Sequence, residues 1–278
     1  MAEMDGGNWK KNDPKIIIGF GGYTSITFLL ISKILFKPII LHEQNIIIGL
    51  ANKIFSPFSK KIIFGWGEKE QNKINKKIFY IRNPVRKKIL NLRKKVKSTT
   101  HKKKIIILIV GGSQGAAIFD HIIPKSLNLL PNQIKKNIEV YHQCSKHNFD
   151  SVKKNYFKNK IKCTCKIFFN NLPDIMFKSQ FVISRSGAST LSEITALGKP
   201  TILIPYKFAK NNHQEKNAKW LVNKGAGIML LEDELTVENL KDKIITFIKN
   251  KKKLKKMSKN SFSLGDSKSL LKLSRLIF

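Results

Sequence analysis

Acidic side chains are scarce in this sequence: 18 Asp and Glu stand against 53 Lys and Arg, a formal net charge of +35 over 278 residues. Such an excess invites a polyanion, either nucleic acid or the anionic face of a membrane. The distribution weakens that inference, because lysines occur in nearly every segment beside a visible excess of Ile, Asn and Phe, as biased codon usage would produce. No recognised module interleaves basic residues with aromatics, so specific nucleic-acid binding is not expected. Cysteine is scarce too. Three in the chain do not make a disulfide framework, and no segment has the basic, apolar and small-residue order of a signal peptide, so a reducing, cytoplasmic location is expected. Long apolar runs are also missing. The longest, residues 26–36, is interrupted by Ser32 and Lys33 and falls short of the ~20 residues a spanning helix needs. The 42% of hydrophobic residues nevertheless suffices for the cores of two ordinary domains.

What is present alternates short β-branched runs with longer amphipathic segments. The runs are apolar on successive residues, the mark of strands buried on both faces of a parallel sheet. A first series predicts strands over 15–20, 38–42, 61–64 and 78–81 and helices over 25–36 and 49–55, and Asn83-Pro84 stops it. Residues 86–104 are Lys-rich, with a helical start and the polar knot Ser98-Thr99-Thr100, composition suited to an interdomain linker, so a boundary is expected near residue 100. A second series predicts strands over 104–110, 139–142, 162–168, 181–184, 201–204 and 227–230. Its helices are expected over 118–130, 172–177, 190–197 and 212–224. The expected fold is α/β, two doubly wound Rossmann-like domains facing a cleft. The amino-terminal domain with its linker would span 1–100, the carboxy-terminal domain 101–250, and a basic helix 251–278. Residues 1–14 contain no opening strand, so the amino-terminal domain is expected to be incomplete by about two βα units.

Four loops fall between a strand end and a helix start, where unpaired backbone N–H groups attract anions. The first is Val110-Gly111-Gly112-Ser113-Gln114-Gly115-Ala116. Its glycines let backbone approach a phosphate, and Ser113 can donate a hydroxyl hydrogen bond; a ligand-free tight turn is the plainer account of any such loop. The second, Ser184 to Thr190, leads into Leu191-Ser192-Glu193. A carboxylate one turn inside that helix can accept two hydrogen bonds from a ribose diol. On these residues alone, Ser189 or Thr190 capping the helix with Glu193 bonding back explains the pattern as simply. The third joins Ile204-Pro205-Tyr206 to Asn211-Asn212-His213-Gln214, amides suited to sugar hydroxyls. The fourth, His42-Glu43-Gln44-Asn45, ends an amino-domain strand and is expected to be an exposed polar quartet. Gly19-Phe20-Gly21-Gly22-Tyr23 adds a glycine turn on the same side.

Cys144, His147, Cys163 and Cys165 have side chains that zinc accepts. Nothing indicates the loops that would gather them, so reduced thiols on a sheet flank are expected and no motif calls for a metal or a cofactor. Residues 26–36, with lysines at 33 and 37, suit either a buried helix or one resting on a membrane surface.

Taken together, GFGGY, HEQN followed by Gly49 and Asn52, NPVR at 83–86, GGSQGA, His142-Gln143, SRSGASTLSEI with GKP, and NHQ-x-x-NA resemble the MurG family of bacterial glycosyltransferases over roughly residues 15–230. The resemblance implies the two-domain GT-B architecture with a last helix crossing back to the amino domain. It implies transfer of N-acetylglucosamine, with inversion, from UDP-N-acetylglucosamine to an undecaprenyl-linked muramyl pentapeptide acceptor at the anionic inner leaflet. By the same resemblance, Ser113 holds the donor diphosphate. Ala188, Ser189, Thr190, Leu191, Ser192 and Glu193 meet phosphate and ribose, with Glu193 on the ribose hydroxyls. Phe169 lies at the uracil, Asn45 and Gln214 at the transferred sugar, and Arg86 on the donor side, while Tyr23 and Asn52 fall on the acceptor side. The family's first glycine-rich loop, which contains a histidine, has no counterpart here, and Gly6-Gly7-Asn8 does not replace it. The catalytic base is therefore unassigned, with His42 and Glu43 the visible candidates. A donor-binding chain that turns over only with a partner chain supplying the missing units is the alternative.

Overall fold

The computed structural model describes residues 14–68, 76–96, 104–112 and 115–278. Ser113, Ser98-Thr99-Thr100 and Gly6-Gly7-Asn8 lie outside the described residues. Internal contacts divide the chain into Met1–Asn83 with Ser269–Phe278, and Pro84–Lys268. The break thus falls at Asn83/Pro84, ahead of the position near residue 100 suggested by composition.

The first unit is built on a four-stranded sheet: β1 (Ile17–Gly19), β2 (Ile39–Glu43), β3 (Ser59–Phe64) and β4 (Ile78–Tyr80) pair in that order, every pair parallel. Helices α1 (Tyr23–Ile34) and α2 (Leu50–Phe55) make the crossovers. Because side chains alternate along a strand, Ile39 and Leu41 of β2 join Leu29 of α1 and Phe55 of α2 on one face. Ile40 of β2 and Ile63 of β3 pack with Leu273 on the other.

The second unit begins with α3 (Lys87–Arg93) and continues through β5 (Ile105–Val110), α4 (Ala117–Asn128), α5 (Asn132–Asn137), β6 (Ile138–Gln143), α6 (Phe149–Lys158) and β7 (Cys163–Lys166). Then come α7 (Leu172–Lys178), β8 (Phe181–Ser184), α8 (Ala188–Ala196), β9 (Thr201–Leu203), α9 (His213–Asn223) and β10 (Gly227–Met229). Of the helical tail, α10 (Val237–Lys249) and α11 (Lys251–Leu264) belong to this unit, whereas α12 (Ser269–Ile277) belongs to the first. The sheet order is β10-β9-β8-β5-β6-β7, all parallel. The chain therefore winds one way from β5 and then the other, with β8 returning to the flank of β5 opposite β6, the doubly wound arrangement expected for residues 101–250.

Two helices escaped the periodicity reading. Segment α6 carries Phe149, Val152 and Tyr156 at helical spacing against the core, a signal that was present and passed over, whereas α5 has no buried residue.

Candidate functional site

In the second unit the strand register gathers the loops. Val110 of β5 pairs with Ser184 of β8, Ser184 with Leu203 of β9, and Leu203 with Met229 of β10. The first, second and third loops thus leave the carboxyl edge from adjacent positions, and the first two flank the β5/β8 switch point, where open α/β sheets bind ligands.

The first loop needs its glycines. Gly112 and Gly115 have φ of 93° and 73°, a left-handed region that other residues enter at a cost. A Cβ on Gly111 would stand 2.4 Å from the backbone nitrogen of Ala116, whereas one on Gly112 would meet nothing within 4 Å. The chain therefore doubles tightly back at Gly111 and presents open backbone at Gly112. Gln143, at the end of β6, donates to the Gly112 carbonyl at 3.1 Å.

The second loop opens α8. Neither Ser189 nor Thr190 caps it: Gly187 is the N-cap residue and no side chain bonds the helix start. The capping account is thereby corrected, and the physical reason is that Glu193 turns elsewhere. Its two carboxylate oxygens accept from Arg86 Nε and Arg86 Nη2 at 2.6 and 2.7 Å, a bidentate fork. Ala188, Leu191 and Ser192 are buried, and the Ser192 hydroxyl donates to the Ala188 carbonyl at 2.8 Å. These three are turned into the unit, while Ser189 is exposed and Thr190 half-buried.

The second and third loops are tied together. Ser186 Oγ donates to the Gln214 carbonyl at 2.7 Å, and Asn217 Nδ2 donates to the Ser186 carbonyl at 3.2 Å. Gln214 Oε1 accepts from the Tyr206 backbone nitrogen at 3.1 Å. Asn211 and Asn212 both sit at φ 54°, where asparagine is among the few residues tolerated. Their place in the motif thus has a backbone cause besides any hydroxyl they could read. Sequence reasoning missed Arg185 as a brace. Its Nη1 donates to the Ile204 and Pro205 carbonyls at 3.1 Å each, it pairs with the half-buried Glu232, and it lies over the Phe119 ring. No local pattern announces a partner 47 residues away, the interval from 185 to 232.

Phe169 is 3% exposed and its ring packs edge-on against Tyr141, centroids 6.2 Å apart. Its ring therefore offers no free face to a ligand. The neighbouring Phe168 is the exposed aromatic.

In the first unit the expected exposed quartet is corrected. His42 and Glu43 are 3% and 5% exposed and Asn52 is fully buried. Glu43 Oε1 accepts from the Asn45 backbone and side-chain nitrogens, both at 3.1 Å. Its Oε2 accepts from Gly49 N at 2.8 Å and Asn52 Nδ2 at 2.9 Å. The carboxylate is the hub that folds residues 44–52, and this is why the motif runs on to Gly49 and Asn52. Four donors thus occupy its two oxygens. His42 differs. Burial pushes its imidazole below the usual 6.5 and the neighbouring Glu43 opposes that only in part, while neither ring nitrogen has a hydrogen-bond partner. Its ring lies 5.4 Å from that of Phe20. Tyr23, by contrast, is 74% exposed at the start of α1, just after Gly21 and Gly22, whose φ values of 80° and 81° form the expected turn.

Comparison with known proteins agrees with this geometry. Residues 106–273 match the glycosyltransferase family 28 C-terminal domain and residues 7–64 the corresponding N-terminal domain. A Wolbachia protein from the symbiont of Brugia malayi, named UDP-N-acetylglucosamine--N-acetylmuramyl-(pentapeptide) pyrophosphoryl-undecaprenol N-acetylglucosamine transferase, is 34% identical over 96% of this chain and 76% of its own length. A Caulobacter vibrioides protein of the same name is 30% identical over 97% of this chain and 75% of its own. The crystal structure of Acinetobacter baumannii MurG superimposes with a TM-score of 0.80 at 23% identity, over 97% of this chain and 75% of that one, which confirms the two Rossmann-like sheets of the expected GT-B fold. The chain belongs to glycosyltransferase family 28.

Proposed function

We propose that the chain is a UDP-N-acetylglucosamine-dependent glycosyltransferase that moves N-acetylglucosamine to the muramyl pentapeptide of an undecaprenyl-diphosphate lipid, the reaction named for its relatives. The observation that carries this reading is the row Val110, Ser184, Leu203, from which a glycine loop, an uncapped helix start and an amide-rich loop emerge side by side. The open backbone at Gly112, together with Ser113, suits one phosphate. The free N–H groups and positive end of α8 suit the other. Glu193 is one turn further on, where a ribose diol would reach it if Arg86 shares or yields the carboxylate. Uracil would lie beside Phe169, and the transferred sugar would lie toward Gln214.

In an inverting transfer the acceptor hydroxyl attacks the anomeric carbon as UDP departs. The protein must then stabilise growing charge on the diphosphate and accept one proton. The helix start and Arg86 serve the first need. His42, held neutral and unpartnered, is the candidate for the second, since the Glu43 oxygens are occupied. Incubation with donor and lipid-linked acceptor should release UDP, and the release should require the acceptor. Donor binding without UDP release would instead select a chain that needs a partner.

The lipid-linked acceptor fits a surface of the first unit. Phe28, Leu30, Ile34, Leu35 and Phe36 of α1 and its end are exposed, Phe36 by 94%, and Lys33 and Lys37 stand among them. No described helix is long and apolar enough to cross a membrane, so peripheral contact with an anionic leaflet is the mode proposed, apolar side chains inserting and lysines meeting headgroups. Ile34→Glu with Phe36→Glu should abolish sedimentation with vesicles containing anionic lipid and leave UDP binding intact. Undiminished sedimentation would place the contact elsewhere.

A further inference from the structure

The cysteine motif reappears in the structure with a different histidine. His147 is exposed, but His142 and Cys144, two residues apart at the end of β6, project to the same face, and Asp120 of α4 meets them there. One ligand-type atom from each of Asp120, His142 and Cys144 lies within 4.8 Å of the other two, and all three residues are buried.

We propose that Asp120, His142 and Cys144 form a buried site for a divalent cation of the zinc class. Three observations support it. First, His142 Nε2 and Asp120 Oδ1 face each other at 3.4 Å, within ion-pair reach, yet neither makes a well-formed hydrogen bond to any group. Two ligand atoms each about 2.0–2.1 Å from one tetrahedral ion would be separated by about 3.4 Å. Second, the remaining atoms of these residues are anchored, as ligands of a metal usually are. Asp120 Oδ2 accepts from Ser145 N at 3.1 Å, Ser145 Oγ at 2.5 Å and Asn148 Nδ2 at 3.2 Å, and His142 Nδ1 shares a 3.0 Å hydrogen bond with the Tyr156 hydroxyl. Oδ1 and Nε2 are thereby held toward each other. Third, soft donors adjoin the site. Cys165 pairs in register with His142 and so faces the same side, and its sulfur is 3.5 Å from that of Cys163. Either thiol would suit a fourth position, and thiolate with imidazole and carboxylate favours zinc over magnesium or calcium.

A dication would offset the Asp120 carboxylate and a Cys144 thiolate in an interior that leaves neither exposed, and a second thiolate in the fourth position would leave one net negative charge. The site would be structural. Ser145, bound to Asp120, lies against Gly115, where a Cβ would come within 3.2 Å of Ser145 Cα, and Gln143 between the two β6-end ligands holds the Gly112 carbonyl. A cation here would stiffen the wall behind the first loop.

The test uses the full chain and added Zn²⁺ or Co²⁺ alone. After dialysis against a slight excess of Zn²⁺, the wild-type chain should retain about one ion per molecule, and its Co²⁺ form should show tetrahedral bands with thiolate-to-cobalt charge transfer. Asp120→Asn and Cys144→Ser should each weaken Zn²⁺ affinity at least tenfold, and His147→Ala should leave it unchanged. No stoichiometric zinc, a cobalt spectrum lacking the thiolate band, or loss of binding in His147→Ala with retention in Asp120→Asn would overturn the proposal. The wild-type cobalt spectrum decides even if a variant misfolds.

Discussion

Glu193→Ala is expected to weaken UDP binding about 5- to 150-fold, corresponding to about 1–3 kcal/mol, the loss typical when charge-assisted hydrogen bonds to a ribose disappear. The same substitution should barely move thermal stability. Its partner Arg86 has a side chain 49% exposed, and ion pairs at the surface contribute little once solvent screens them. That contrast separates a binding role from a structural one. A calorimetric titration showing wild-type UDP affinity would remove Glu193 from the site, and a large drop in melting temperature would show that the fork with Arg86 is what the carboxylate is for.

The second large effect concerns Glu43. Removing its carboxylate in Glu43→Ala strands donors at Asn45, Gly49 and Asn52, two of them aimed at each oxygen. Each buried donor left without an acceptor costs about 1–3 kcal/mol, and several are left at once. Amide exchange at Gly49 reads this directly, and protection there should fall by about 150-fold or more, since 1.4 kcal/mol is a factor of ten. Unaltered protection would mean that the loop folds without the hub. Glu43→Gln adds a second discrimination: lost turnover with protection intact would return Glu43 to the role of base.

The architecture was legible because burial on both faces forces successive apolar residues, and β5, with IIILIV, can hardly be anything else. Every strand of both sheets was located within a few residues from that one signal. The α6 helix was missed although Phe149, Val152 and Tyr156 recur at helical spacing, because three apolar positions among polar and charged neighbours are easily read as a loop. At the site, the glycine turns were readable from residue type alone, because Gly111, Gly112 and Gly115 admit no substitute for reasons of space or φ. The His42-Glu43 pair was misjudged as exposed. Polarity after a strand usually signals solvent, and nothing local tells that a carboxylate will be consumed by amides up to nine residues ahead. Asn217 posed the same difficulty: its buried side chain holds the Ser186 carbonyl, a contact between loops that spacing cannot reveal.

The packing of Leu273 on Ile40 and Ile63, reinforced by Lys61 Nζ donating to the Leu276 carbonyl at 2.5 Å, sets an order of events during synthesis. The strands of the first unit leave the ribosome early, but the apolar underside of their sheet stays uncovered until α12 has been translated, roughly 200 residues later. For that interval it is a candidate for chaperone capture, and truncation anywhere before α12 should turn a soluble nascent chain into one prone to aggregate.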